Sequence, residues 1–383
     1  MTAIKKQFLL NPDVIFLNHG SFGACPRPVF EAYQHWQREL ERQPVEFLGR
    51  RATSLMAEAR ENLAAYLNCQ ADEVVYFPNP TTAINMVARN LDLQPGDEIL
   101  TTDHEYGAMD RTWRYICGKT GARYVHQPIR LPVTTSDAFV ETFWSGVTPK
   151  TRLLFISHIT SPTALIFPVE EICRRAREAG LLCIVDGAHA PGQIPLDLTE
   201  LGADLYTGAC HKWLLAPKGS AFLYTRREMQ DWLDPLVISW GYDAAPDFRS
   251  GSIFVDYHEW QGTRDISAFL SVPAAIEFHA QNQWDTVRER CHQLAIITRQ
   301  RINALTGLPS ICPDSWLGQM FAARLPDVDV AQVKTRLYEE SGIEVPIHRW
   351  NDQPLIRVSI NGYNTQSDLD ALVDALAELL PHP

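Results

Sequence analysis

An acid and an amine carry the first chemical signal in this sequence. Asp186 ends the apolar run Leu182-Cys183-Ile184-Val185 and opens the segment Asp186-Gly187-Ala188-His189-Ala190-Pro191-Gly192. A carboxylate at the C-terminal end of a buried parallel strand stands where open α/β sheets bind their ligands, although an Asp there also serves as a helix cap. A second run, Asp204-Leu205-Tyr206-Thr207, leads into Gly208-Ala209-Cys210-His211-Lys212-Trp213 and puts Lys212 26 residues after Asp186, at the same rim. A loop lysine is ordinarily a solvated charge. Here it leads into Trp213-Leu214-Leu215-Ala216-Pro217, and burial in such surroundings disfavours the ammonium and leaves a nucleophilic amine.

The elements that must position this pair follow from the alternation of short apolar runs with helical spacing that begins near residue 73. The expected strands are Val74–Phe77, Glu98–Thr101, Arg123–His126, Leu153–Ser157, Leu182–Val185, Leu205–Thr207 and Ala221–Tyr224. Helical patterns cover Thr82–Leu91, Asp137–Trp144 and Val169–Ala179, the last stopped by Gly180. The pattern predicts an α/β protein with a mostly parallel sheet of about seven strands. An aromatic, loop-like stretch from Trp232 to Trp260 separates it from long helices at about 271–305, then strand, helix, strand and helix through Leu380. The expected division is a large domain over 22–268 and a smaller α/β domain made of 1–21 with 269–383.

Composition excludes several functions. Across 383 residues, 34 Lys and Arg face 46 Asp and Glu for a formal charge of −12, so neither nucleic acid nor an anionic membrane finds a general attraction. No apolar stretch approaches the ~18 residues of a membrane span. Lys5-Lys6 precedes Phe8-Leu9-Leu10, but Asn11-Pro12-Asp13 breaks the run below signal-peptide length, which predicts a cytoplasmic protein. The eight cysteines form no CxxC pair and read as reduced, packed thiols. A metal hydrolase built from His158, His189, His211 and Asp186 lacks HExxH or close paired-His spacing, so no metal is expected; a nicotinamide enzyme would need a GxGxxG that is absent.

These residues resemble the pyridoxal 5′-phosphate enzymes of fold type I, in the class V aminotransferase branch, and the resemblance covers nearly the whole chain. Asn18-His19-Gly20-Ser21, Thr102-Asp103-His104-Glu105-Tyr106-Gly107, His211-Lys212-Trp213 and Trp260-Gln261-Gly262-Thr263-Arg264 look most like the isopenicillin N epimerase-like proteins, with cysteine desulfurases and C–S lyases as near cousins. The resemblance implies a large domain with a mostly parallel seven-stranded sheet and a smaller C-terminal α/β domain.

The cofactor makes separable demands. Lys212 is the amine that holds its aldehyde, and Asp186 the acid that keeps its pyridine nitrogen protonated. Pro80-Thr81-Thr82-Ala83-Ile84-Asn85, directly after a strand, offers helix-start N–H groups and hydroxyls to a phosphate, with Thr81 and Thr82 as ligands. By resemblance, His211 also contacts the phosphate, but the hydroxyl residue usual two positions earlier is Ala209 here, and Thr207 is the substitute considered. Tyr106 is the aromatic expected over the ring, and His189 the contact to the ring oxygen. Gly262 and Thr263 match a pair contributed across a homodimer interface. Arg357, in Leu355-Ile356-Arg357-Val358-Ser359, is expected to bind the substrate α-carboxylate, and the turn at Asn18 and His19 to fold over the substrate.

The function expected is that of an amino-acid enzyme acting at the α-carbon, epimerase-like, with cysteine or cystine C–S lyase as the alternative. A desulfurase takes up sulfur on a loop thiol shortly before the carboxylate Arg, and no Cys lies between Gly342 and Arg357. Epimerisation needs a proton donor opposite Lys212, for which Tyr106, His19 and His348 are the candidates.

Overall fold

The computed structural model describes residues 4–245 and 249–381. Its first strand, β1 (Ile15–Phe16), is short. The next seven, β2 (Val74–Phe77), β3 (Glu98–Thr102), β4 (Arg123–Gln127), β5 (Thr151–Ser157), β6 (Leu182–Asp186), β7 (Leu205–Ala209) and β8 (Ala221–Thr225), make one sheet in the order β2-β8-β7-β6-β5-β3-β4. Only β8 runs antiparallel to its neighbours. The strand runs are continuously apolar because both faces are covered: Val74 and Tyr76 enter one core, Val75 and Phe77 the other. Most of these strands extend past their expected last residue, because the ladder continues beyond the last apolar side chain. Asp186 thus still pairs with Ser157 on one side and Thr207 on the other.

The helix after β2 spans Pro80–Asn90, starting two residues before the expected Thr82, because Asn79 caps it by accepting from the Thr82 N–H (2.8 Å) and Pro80 is well suited to its first position. A helix over Gly107–Thr120, which periodicity did not single out, starts directly after Tyr106. Within the Trp232–Trp260 stretch the chain forms a helix at Ile253–Glu259; residues 246–248 of that stretch lie outside the described residues. The long helical region divides into Ser267–Leu270, Val272–Gln281 and Trp284–Thr306, broken where Gln283 takes a φ of +49°.

The C-terminal part differs from the simple alternation expected. After β9 (Met320–Arg324) and the helix Val330–Ser341 come β10 (Ile343–Glu344), β11 (Ile347–Trp350) and β12 (Gln353–Ser359), then the helix Gln366–Leu379. Asn351 and Asp352, both at positive φ (+44° and +63°), turn β11 back onto β12, a tight hairpin without the glycine that usually advertises one. β11, β12 and β9 form an antiparallel sheet in that order. β1 pairs in parallel with β10, and the Ser359 N–H donates to the Leu17 carbonyl (2.9 Å). The N-terminal segment is thereby tied to β12 and led across the rim where β5, β6 and β7 end.

Candidate active site

At that rim lies a cleft with about 650 Å³ of empty space, lined by side chains from both parts of the chain. Asp186, at the end of β6, is buried and takes one hydrogen bond, from the Ala188 N–H to Oδ1 (2.9 Å). Burial raises its carboxyl, while the Ala188 N–H and the Lys212 charge oppose the rise. The next residue has to be glycine: a Cβ on Gly187 would stand 2.1 Å from the Tyr206 ring. Lys212 follows β7, and burial pulls its amine down from the usual lysine range to about 8. Its Nζ lies 3.3 Å from Nε2 of His189, whose Nδ1 accepts from the Trp213 indole N–H (3.3 Å). That acceptor role puts the proton of a neutral His189 on Nε2, and burial with Lys212 nearby keeps the ring neutral.

The helix start at Pro80 brings Asn79, Pro80 and Thr81 to the cleft. Thr82 is absent from the lining: its N–H and its hydroxyl both donate to Asn79 Oδ1 (2.8 and 3.0 Å), so it serves the cap. His211 lines the cleft and donates through Nδ1 to the Ser220 carbonyl (3.0 Å). Thr207 does not substitute for the missing hydroxyl at Ala209, because its own donates to the Phe222 carbonyl (2.7 Å) inside the sheet. Tyr106 stands at the mouth, half-exposed and lining the cleft. Gly262 and Thr263 are not among the residues lining this cleft.

Asn18 and His19 sit behind the wall rather than in it. Asn18 donates to Glu344 (2.9 Å) and accepts from the Ser21 hydroxyl; His19 is buried between the Tyr363 hydroxyl (3.0 Å) and the Lys212 carbonyl (2.9 Å). The members of that turn which line the cleft are Ser21 and Phe22. Gly23 lets the turn approach so closely: at φ +69°, a Cβ there would stand 1.9 Å from the His211 carbonyl oxygen.

Arg357 arrives from β12. Its guanidinium donates to the Ser161 carbonyl (2.6 Å), the Ser161 hydroxyl (3.1 Å) and the Ser21 hydroxyl (3.1 Å), all neutral, and its buried Nε has no partner among the described residues. Burial pulls it down to about 10. A buried cation without a carboxylate is costly unless a ligand supplies one. Two lining groups had no motif to flag them, and a third group near the lining, Glu105, stood in the Thr102–Gly107 motif without a role. Ser161 and Ser157 line the cleft, and Glu105, behind Ser157, accepts from its hydroxyl. Only the strand-end position of Ser157, level with Asp186, was a usable signal.

An acid with one oxygen free of any hydrogen bond among the described residues, a depressed amine, an open helix start and an unpaired guanidinium fit pyridoxal phosphate and an amino-acid carboxylate. The fold and this donor set define a fold type I pyridoxal phosphate enzyme. The model of the class V aminotransferase family matches residues 16–372, and the chain belongs to that family. It is 39% identical to an isopenicillin N epimerase of Amycolatopsis lactamdurans, over 98% of this chain and 97% of that protein. It is 30% identical to a putative L-cysteine desulfhydrase of Oryza sativa subsp. japonica, over 95% and 83%. The cysteine desulfurase CsdA of Escherichia coli superposes with a TM-score of 0.79 at 26% identity, covering 98% of each chain.

Proposed function

We propose that this protein is an epimerase-like enzyme that inverts the α-carbon of an amino acid or of a small amino-acid-containing substrate, in the cytoplasm and as a homodimer. The observation that carries this reading is the hairpin bearing Arg357. It contains no thiol and is tied down, with the Trp350 indole N–H donating to the Asp103 carbonyl (3.0 Å) and the Asn351 amide to the Asp103 carboxylate (2.9 Å). Sulfur uptake on a mobile loop thiol has no counterpart there. The 39% identity with an isopenicillin N epimerase points the same way.

Bound pyridoxal phosphate supplies an electron sink that makes a substrate α-proton acidic. In this reading the residues divide the remaining work. Lys212 would hold the cofactor's aldehyde carbon until the substrate amine takes its place there, and its freed amine would then move the proton at the substrate α-carbon on its own face. Asp186 holds the proton on the pyridine nitrogen, His189 donates to the ring oxygen, and Tyr106 covers the ring. Thr81, the Asn79-capped helix start and His211 would receive the phosphate. Arg357 binds the α-carboxylate through its two-pronged face, and Ser21 and Phe22 close over it. Of the three candidates for a proton donor opposite Lys212, His19 and His348 are engaged with carbonyl oxygens of Lys212 and Pro162, which leaves the Tyr106 hydroxyl. Lys212 would take one proton from the α-carbon and Tyr106 would return one on the other face, and proton exchange with solvent would restore both groups, so nothing is consumed.

Dimerisation is supported by exposed apolar side chains gathered in one stretch: Trp240 is 84% exposed, Ile253 72% and Ile238 66%. A partner covering them would bring its Gly262 and Thr263 to the phosphate. The division into 22–268 and 1–21 with 269–383 belongs to the same reading, with the β1–β10 pairing in its favour.

Incubation of the holoenzyme with an L-amino acid in heavy water tests the reaction type. Inverted product carrying deuterium at the α-carbon is expected. Pyruvate and sulfide from cysteine or cystine, without inverted product, would replace epimerisation by β-elimination.

A further inference from the structure

Glu105 is a second buried carboxylate beside Asp186, and none of the steps above uses it. It follows β3 and is only 7% exposed, with no cation paired to it among the described residues. Its Oε1 accepts from the Thr102 hydroxyl (2.7 Å), which itself accepts from the His104 N–H (3.1 Å). Its Oε2 lies 2.5 Å from the Ser157 hydroxyl. Ser157 is the strand-end residue level with Asp186 and lines the cleft.

At Oε2 this geometry allows two arrangements. If Glu105 is ionised, Ser157 donates inward and shows the cleft a lone pair. If Oε2 carries a proton, that O–H donates to Ser157 and the serine's own O–H turns out to the cleft. We propose that Glu105 is a positioning residue of the reaction: by holding or releasing one proton it sets whether Ser157 presents a donor or an acceptor at the ring end of the cleft.

The titratable groups facing Glu105 are Asp186 from β6 and Tyr124 from β4, whose hydroxyl is turned to Asp110 (2.9 Å). Neither offers a positive charge. With Asp186 ionised, a second negative charge in the same interior is disfavoured. Burial, with Asp186 adding to it, pushes Glu105 up to about 7 against the two hydroxyl donors and the Ser157 backbone N–H. Both forms are accessible near neutrality, and the protonated one, with Ser157 as a donor to the cleft, is the proposed working state.

The proposal rests on Asp186 being the partner of the pyridine nitrogen, and the test separates the two. Glu105→Gln cannot ionise, and with its carbonyl toward Thr102 and its amide N–H toward Ser157 it holds the donor state. In the holoenzyme, the infrared carbonyl stretch of a protonated carboxylic acid, titrating near neutrality, is expected to vanish in Glu105→Gln and to persist in Asp186→Asn. The ratio of variant to parent kcat is expected to rise about three-fold or more between about pH 6 and about pH 8, as parental Glu105 ionises and the glutamine does not. Ser157→Ala removes a donor from the carboxylate, so the same infrared band is expected to titrate at higher pH, which serves if Glu105→Gln folds poorly. A band untouched by Glu105→Gln, a flat kcat ratio, or no movement in Ser157→Ala overturns the proposal. If instead Asp186→Asn leaves the visible absorption of the holoenzyme as in the parent, the role given to Asp186 fails while the Glu105 band remains to be read.

Discussion

Two buried arginines in this molecule have opposite surroundings. Arg60, on the helix Ala52–Leu67, meets Glu259 at 2.6 Å and also donates to the Ala71 carbonyl (2.9 Å), while Glu259 accepts near the Tyr76 N–H of β2. Among the described residues, Arg357 has only neutral partners and one unpartnered nitrogen. A buried charge whose counter-charge is built into the fold contributes to holding the fold; one that lacks it raises the energy of the empty site and lowers it again when an anion arrives. Burial alone therefore does not separate a structural arginine from a ligand-binding one, and the missing carboxylate does.

The largest effect expected is on stability, at the paired site. Arg60→Met removes the ion-pair partner of Glu259, leaving it only the charge of Arg264, and should cost about 3–5 kcal/mol in denaturant unfolding, while KM and kcat of the residual folded enzyme stay near the parent's. If unfolding is unchanged, the pair is not structural and the contrast collapses. At the unpaired site the pattern should reverse. Arg357→Lys keeps the charge and loses the two-pronged geometry, so kcat/KM should fall by about ten-fold or more, equivalent to at least ~1.4 kcal/mol, with unfolding and cofactor content unmoved. Unaltered steady-state constants would mean that another cation, Arg264 or Arg349, receives the carboxylate.

The smallest effect sharpens the comparison with a third buried cation. Lys212 is held down to about 8 by burial, against Asp186, which opposes the shift. A folded-state value below the usual lysine range means the amine becomes neutral, and able to attack an aldehyde, as pH rises through about 8. The rate at which apoenzyme captures pyridoxal phosphate should therefore rise with pH to a midpoint there. A midpoint near the ordinary lysine value would show the amine to be solvated.

Much of the site was legible because its chemistry sits at strand ends. Asp186 and Lys212 follow continuous apolar runs, and such runs locate parallel strands and their rims. Asn18, His19, Thr82 and Thr207 were harder, since a motif names residue types without saying which way a side chain faces. The cap that absorbs both donors of Thr82 and the carbonyls that engage His19 come from neighbours in space. The β11–β12 hairpin escaped notice because Asn351 and Asp352 turn it without glycine.

The sequence by itself determined the sheet, the order of its strands' apolar runs, and the acid and amine at its rim, because periodicity and strand-end position are properties of neighbours along the chain. Tertiary structure alone decided that Arg357 would lack a counter-charge while Arg60 would have one, and that Glu105 would stand behind Ser157. Each is a relation between residues far apart in sequence. Desolvation and pairing depend on what surrounds a charge in space, and no local pattern of residues encodes that.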